Sequence, residues 1–341
     1  MSLKIAIVTK KLTVKGGAEL AILELAKNFG CDIFTSDYNQ DATYKDFSNL
    51  DVYFSPLKFN GNLPLLLKFI NFPFIRELRK YDLIITTSGF YPKLIAVHRN
   101  LPQIIHFEQS PTNFNAGFAR FISPLDFYAT KRITRLVALS QNIRQKMLMR
   151  YSRDSTVVSA PVDVKRFINA PSEDFFLSVQ RITADKRLHL QVEAFNKLPR
   201  ERLIIVAGSY DQKYFNRIKK SSPKNVEFSV GLEREQIIEL YSKCKATIQT
   251  SKDEPFGFVP IESMAAGKPC IAVNEGGFRE TIIDGKTGIF IQEPYVDTLI
   301  TAIKNIDKYN FDSGILRERA EELSLDNFIT NFKRVFDDIL G

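Results

Sequence analysis

Short apolar runs alternate with amphipathic stretches along almost the whole chain, and this alternation leaves few folds open. Runs at Leu3 to Thr9, Asp32–Ser36, Val52–Ser55, Leu83–Thr87, Ile104–Phe107, Leu136–Ser140 and Thr156–Ala160 have the length and β-branched content of buried strands. Helical periodicity fills the gaps, notably over Ala18–Asn28, Leu65–Lys80 and Gln141–Tyr151. A second series starts after Pro161, with strands predicted at Phe175–Val179, Leu203–Ala207, Val226–Val230, Ala246–Thr250, Cys270–Val273 and Gly288–Ile291. Helices between them are predicted near Leu188–Lys197, Gln212–Lys220, Arg234–Lys243 and Val259–Ala266. Strand–helix alternation requires parallel sheets covered by helices on both faces. A chain of 341 residues exceeds one ordinary core. The expectation is therefore α/β, with two doubly wound domains joined near Pro161–Phe167. Ligands of such sheets bind beyond the C-terminal ends of the strands.

Composition narrows the function classes. Hydrophobic content of 44% and charge of 25% are those of a water-soluble globular protein. No run approaches the roughly 18 apolar residues of a membrane span. The N-terminus opens directly on a strand, with no basic and apolar leader, so a cytoplasmic chain is expected. Cys31, Cys244 and Cys270 lie far apart within apolar runs and read as buried thiols, and His98, His106 and His189 have no metal-ligand spacing. Residues 1–165 carry 22 Lys+Arg against 13 Asp+Glu, whereas the remainder carries 25 against 26. The basic excess thus belongs to the first half. It suits either solubility or contact with an anionic lipid surface, placing the chain peripherally at the cytoplasmic face of a membrane. Without zinc-finger or aromatic RNA-binding signatures, nucleic acid is not expected as a partner. Segment 54–80 mixes Phe and Leu with Lys and Arg. It reads as a core-facing helix with snorkelling bases, or as an interfacial surface if Phe59, Leu65, Leu66 and Phe69 are exposed.

Chemistry concentrates in Glu254 to Glu262, EPFGFVPIE, between a predicted strand and a helix closed by Gly267 and Pro269. Alone, two acids eight residues apart read as a solvated loop acid and a helix-surface acid. Here Gly257 permits close backbone approach, and Phe256, Gly257, Phe258 and Val259 supply the first amides of the helix. Those amides lack intrahelical partners and attract an anion. A phosphate-holding helix end beside two hydroxyl-accepting carboxylates suits a nucleotide sugar. Gly276-Gly277 follows the next strand and opens a short helix containing Glu280. The segment Lys15-Gly16-Gly17-Ala18-Glu19 follows the first strand. It lacks Gly-x-Gly-x-x-Gly, although Asp37 falls near the spacing of a ribose-binding acid, and a plain turn with an N-cap also explains it.

Glu254, Phe256-Gly257, Glu262, Met264-Ala265-Ala266-Gly267 and Pro269 together resemble the hallmark of the GT-B retaining glycosyltransferases of family 4, the glycosyl transferases group 1. The likeness is strong over 175–291 and weaker before that. It implies two Rossmann-like domains facing each other across a cleft: residues 1–164 on the acceptor side, 165–322 holding the donor, and a C-terminal helix over 323–341 crossing back to the first. Arg181 and Lys186 match the pair that binds the donor diphosphate, although Gln180 replaces the usual Gly. Gly16 and Gly17 match backbone donors near the phosphates, and Gly208 and Gly231 match loops around the nucleoside base. By the same resemblance Glu254 holds hydroxyls of the transferred hexose and Glu262 holds the ribose. His106 contacts the sugar from the first domain, although Glu108-Gln109 and a displaced Pro111 depart from the pattern. Glu108 is a weaker acceptor-side candidate.

The implied reaction moves a hexose from a nucleotide diphospho-sugar to a hydroxyl of a glycan or lipid-linked acceptor. GDP-mannose is the favoured donor and UDP-sugars come next. No cofactor and no metal are required, because Arg181 and Lys186 supply the cationic charge and no Asp-x-Asp signature is present. A hydrolase or epimerase acting on a nucleotide sugar, and a non-catalytic nucleotide-binding module, are the alternatives.

Overall fold

The structure is a computed structural model that describes residues 3–54, 74–110, 118–159 and 161–341, with side chains from 122 onward in the third stretch. The part of the expected helix before residue 74, and Phe59, Leu65, Leu66, Phe69, Pro111 and Ala160, lie outside the described residues. The chain divides into two compact units. One comprises Met1–Pro161 with Phe328–Gly341, and the other Val162–Asn327.

The first unit holds seven parallel strands: β1 (Ile5–Thr9), β2 (Asp32–Thr35), β3 (Val52–Phe54), β4 (Leu83–Thr87), β5 (Gln103–Glu108), β6 (Arg135–Ala138) and β7 (Thr156–Val157). They stand in the order β3-β2-β1-β4-β5-β6-β7. The second unit holds β8 (Phe176–Val179), β9 (Leu203–Ala207), β10 (Val226–Val230), β11 (Ala246–Gln249), β12 (Cys270–Val273) and β13 (Gly288–Ile291), in the order β10-β9-β8-β11-β12-β13. Every pairing between these strands is parallel. In both sheets the order reverses beside the first strand, which is the doubly wound, Rossmann-like pattern with its ligand crevice at the switch point.

Every residue of β1, β4 and β9 is buried. This is why these strands are continuous apolar runs in the sequence. Boundaries move by a residue or two at several ends. Ser140 is not in a strand: its hydroxyl accepts from the Ile143 amide at 3.1 Å and caps the helix Gln141–Tyr151. The strand predicted at Thr156–Ala160 keeps ladder pairing only over Thr156–Val157, at the sheet edge. Helices at Phe118–Lys131, Val296–Asn305 and Ser313–Glu322 were not named from the sequence. Pro124 interrupts the periodicity of the first.

The last helix, Leu325–Leu340, starts on the second unit, where the Leu325 amide donates to the Val162 carbonyl at 2.8 Å. From Phe328 onward it belongs to the first. Phe332 meets Phe107 of β5 edge-on at 5.1 Å between ring centroids, and Phe336 meets Phe29 at 4.8 Å. Phe328, Phe332 and Phe336 are all buried. Each such ring contributes roughly 1.5–3 kcal/mol of burial, so this short stretch is a substantial share of the first unit's core.

Candidate functional site

In the second unit, β8 and β11 are neighbours on either side of the point where the strand order reverses. The loops that leave their C-terminal ends therefore meet. Lys186, from the loop after β8, lies with Nζ 2.6 Å from Oε2 of Glu254, from the loop after β11. Their side chains are 11% and 21% exposed, so the pair is sheltered but open to a ligand. The two loops are also tied through backbone. Thr250 Oγ1 donates to the Lys186 carbonyl at 2.8 Å, and the Lys252 amide to that of Asp185 at 2.8 Å. Arg181 stands free of strong pairing at 62% exposure, 4.0 Å from Asp185.

A cavity of about 140 Å³ opens beside these residues, lined among others by Gln180, Arg181, Lys186, Glu254, Gly257 and Phe258. Ligand pockets usually enclose roughly 300–1,000 Å³. The cavity is thus a foothold for a phosphate or a sugar edge, not a container for a whole nucleotide sugar. Gly257 caps the helix Phe258–Ala265 with φ +105°. A Cβ there would come within 2.9 Å of the Phe278 ring, on top of the unfavourable backbone angle. Gly257 and the first residues of this helix, Phe258 and Val259, line the cavity, and the amides of a helix start have no intrahelical partner. Phe256 itself is buried, and it meets Phe258 edge-on at 6.0 Å. What it can offer a ligand is backbone.

The Glu254 loop is held from behind by the next strand–helix turn. The Gly277 amide donates to the Glu254 carbonyl at 2.7 Å. A Cβ on Gly276 would lie 2.5 Å from that carbonyl oxygen, and one on Gly277 would lie 2.4 Å from Cα of Phe256. Only the paired glycines let the two loops pack. Arg187, in the left-handed region at φ +51°, pairs with Glu275 at 2.8 Å, and Glu275 also accepts from the Asp253 amide at 3.3 Å. Arg187 and Glu275 had no assigned role in the sequence, and they fix the far side of the same loop.

Glu262 lies in the helix Phe258–Ala265 and is buried, not a surface acid. Arg234 Nη2 is 2.6 Å from one carboxylate oxygen and Tyr241 Oη 2.6 Å from the other. Sequence reasoning missed both partners. Their spacing of seven on the helix Arg234–Lys243, which places them on one face, was the available signal. Gly208 follows β9, and Gly231, at φ +76°, follows β10. Side chains there would meet nothing within 4 Å, so both glycines border open space, apart from the residues lining the cavity.

In the first unit, Gly16 caps the helix Gly17–Phe29, and a Cβ on it would lie 2.7 Å from Oε2 of Glu19. A separate cavity of about 350 Å³ lies beside this turn, lined by Lys15, Gln40, Asp41, Thr43, Lys45 and Ser48. His106 is on β5 and fully buried. Its Nδ1 is 2.9 Å from Thr86 Oγ1 and its Nε2 is 3.1 Å from Glu108 Oε2. A carboxylate only accepts, so the ring is assigned as the neutral tautomer with the proton on Nε2. Burial pushes its pKa below the ordinary value. Glu108 is equally buried, and its Oε1 accepts from the Gly89 amide at 3.0 Å. Burial alone would raise its carboxyl, but His106, Lys93 and the Gly89 amide outweigh that and hold it at about 2. Both ring nitrogens of His106 and both oxygens of Glu108 therefore have partners inside the protein.

Lys93 was not singled out in the sequence. It is 1% exposed, 2.7 Å from Asp126 Oδ1 and 2.7 Å from the Tyr151 hydroxyl, which in turn donates to Asp126 Oδ2 at 2.8 Å. The three cysteines are buried, and burial pushes each thiol to about 12. None is a nucleophile at neutral pH. Among the described residues no helix is long and apolar enough to cross a membrane.

Residues 163–322 match the profile of the family described as glycosyl transferases group 1. An alpha-1,3/1,6-mannosyltransferase of Dictyostelium discoideum is 34% identical over 162 residues, which is 41% of this chain and 38% of that one. The corresponding mouse enzyme is 24% identical over 340 residues, covering 82% and 81%. The chain thus spans well under half of the amoebal relative. Among solved structures, the Anabaena protein Alr3699/HepE in complex with UDP superposes with a TM-score of 0.79 at 17% identity, covering 98% of this chain and 100% of that one. At that identity the likeness is one of fold, and the fold is GT-B, with two Rossmann-like domains.

Proposed function

We propose, from the match of residues 163–322 to the glycosyl transferases group 1 family, that the chain is a retaining hexosyltransferase. It takes a hexose from a nucleotide diphospho-sugar and passes it to a hydroxyl of a glycan or lipid-linked acceptor. The observation that carries this reading is the Lys186–Glu254 pair at 2.6 Å, with Arg181 and the start of the helix Phe258–Ala265 around one small cavity.

Each group has a task in the reaction. Breaking the bond between the sugar C1 and the phosphate oxygen leaves a diphosphate whose negative charge grows in the transition state. Arg181 reaches two phosphate oxygens at once, and Lys186 adds a point charge. The amides of Gly257 and Phe258 face the same charge. Preorganised donors of this kind are worth about 3 kcal/mol each. Glu254 accepts from hexose hydroxyls while Lys186 holds it in orientation, and Glu262 accepts from the ribose. Gly16 and Gly17 are taken as backbone donors to the phosphates, and Gly208 and Gly231 as neighbours of the base.

The acceptor oxygen bonds to C1 on the face the phosphate leaves, and its proton passes to the departing phosphate oxygen. This same-face route needs neither a carboxylate nucleophile nor a divalent metal. A trapped glycosyl-enzyme would overturn it. His106 enters as a support, since a contact with the sugar would require it to give up Thr86 or Glu108.

Transfer of mannose is supported by the names of the amoebal and mouse relatives, and a uridine nucleotide by the UDP of the Anabaena structure. The basic first half supports peripheral contact with a membrane at its cytoplasmic face. A thermal-shift panel of GDP-mannose, UDP-glucose, UDP-GlcNAc, GDP and UDP, with and without EDTA, tests the donor site. A shift with one base family that survives EDTA is the expected result. No shift with any of them would sink the reading. Release of free sugar in the absence of acceptor would instead favour hydrolysis.

A further inference from the structure

Glu262 is gripped at both oxygens by one helix. Arg234 holds Oε1 and Tyr241 holds Oε2, each at 2.6 Å. The grip is itself braced. The Arg234 guanidinium stands over the Phe167 ring at 5.4 Å, and Phe167 meets Tyr241 edge-on at 5.6 Å. Tyr241 is fully buried. Burial, then the charge of Glu262, push its hydroxyl well above the ordinary value, so it keeps its proton and serves Glu262 as a donor. Arg234 is 34% exposed and Glu262 8%, so the clamp forms the solvent-side boundary of this carboxylate.

A carboxylate gripped at one oxygen can swing about its last torsion. Gripped at two, it presents its remaining lone pairs in one direction. Each oxygen accepts about two hydrogen bonds, so each keeps a site for a ligand hydroxyl after the clamp is satisfied.

We propose that Arg234 and Tyr241 are positioning residues for Glu262, and that through it they set the preference for a ribonucleotide donor over one lacking the ribose diol. The inference rests on the reading above in which Glu262 holds the ribose. A donor with 2′ and 3′ hydroxyls gains from a fixed carboxylate, whereas a dideoxy donor gains nothing and loses nothing when the clamp goes.

The experiment measures affinity of the full chain by calorimetry for GDP against 2′,3′-dideoxy-GDP, and for UDP against 2′,3′-dideoxy-UDP. It uses wild type, Glu262→Gln, Tyr241→Phe, Arg234→Gln and Arg234→Lys. Wild type is expected to favour the ribonucleotide by about 10- to 100-fold, the range for one or two hydrogen bonds to a charged group. Tyr241→Phe and Arg234→Gln are expected to cut that ratio by about 10-fold, entirely through the ribonucleotide, and Arg234→Lys to keep it within about threefold. If Glu262→Gln leaves the ratio unchanged, the ribose role of Glu262 is wrong and the inference falls with it. If Glu262→Gln collapses the ratio but the clamp variants do not, only the positioning role is overturned. Equal losses for both nucleotides would mark the clamp as merely structural and overturn it as well. Arg234→Gln, at a partly exposed position, keeps the test open if Tyr241→Phe fails to fold.

Discussion

Each unit contains a lysine paired with a carboxylate, and burial makes the two pairs opposites. Lys93 and Asp126 in the first unit are 1% and 0% exposed. Lys186 and Glu254 in the second are 11% and 21% exposed, at a cavity. Burial works against the charge on Lys93, but Tyr151, Asp126 and Glu108 outweigh it and leave its pKa raised. Among the described residues this pair has its partners within the protein and is closed to solvent. The second pair keeps part of each head group accessible, so a ligand can compete for it. The same two chemical groups are architecture in one place and, on the proposed function, a reagent in the other.

Breaking the buried pair is expected to have the largest effect. Lys93→Met leaves Asp126 short of its principal counter-charge in a dry site, and should cost about 3–5 kcal/mol, read from urea or thermal unfolding. An unchanged midpoint would mean that Tyr151 and Arg150, whose Nη2 lies 3.3 Å from Asp126 Oδ2, suffice. Lys186→Met should reverse the balance. Turnover is expected to fall by roughly 10²–10³, with unfolding shifted by less than about 1 kcal/mol because the pair is partly solvated. If stability dropped more than turnover, the contrast between the pairs would be false.

Acid should separate the units further. His106 stays neutral in the fold with its pKa below the ordinary value, so below about pH 6.5 the unfolded chain binds more protons, and stability falls as pH drops. Glu108, held at about 2, adds a second loss as pH falls from its ordinary value of 4.5 toward 2. His106→Gln should flatten the first part by up to about 1 kcal/mol per pH unit, measured as unfolding midpoints at pH 7.5 and 5.5. Parallel curves would show that His106 does not carry the dependence. The smallest effect is expected at the exposed Lys165–Asp326 pair, at 2.6 Å. Lys165→Ala should leave the midpoint where it was, and a clear shift would show that proximity alone sets the worth of a pair here.

Much of the second unit was legible because its chemistry is local. Glu254, Gly257 and Glu262 fall within nine residues, and Lys186 lies in the equivalent turn after a neighbouring strand. That Lys186 touches Glu254, 68 residues away, depends on strand order, which periodicity does not encode. In the first unit the decisive contacts join three helices. Lys93, Asp126 and Tyr151 each look like surface residues in their own window. The clue was a single charge inside an apolar run, Phe90 to Val97 for Lys93 and Ile122 to Ala129 for Asp126. Two such lone charges of opposite sign are candidates to meet. His106 was read within the strand Ile104–Phe107 and lies inside β5, but only the register with Thr86 and the spacing to Glu108 reveal that its nitrogens are engaged.

The last helix also imposes an order in time. The first unit's strands are complete by Val157, yet Phe107 and Phe29 lack their partners until Phe332 and Phe336 have been made. Synthesis of the intervening residues takes on the order of 10–35 s at roughly 5–20 residues per second. During that interval the second unit is being made, its last residue, Asn327, only five before Phe332, and the first waits with aromatic surface uncovered. A growing chain of this design completes both units almost together at its end. Until then it is most exposed to chaperones and to misassembly through its earlier one.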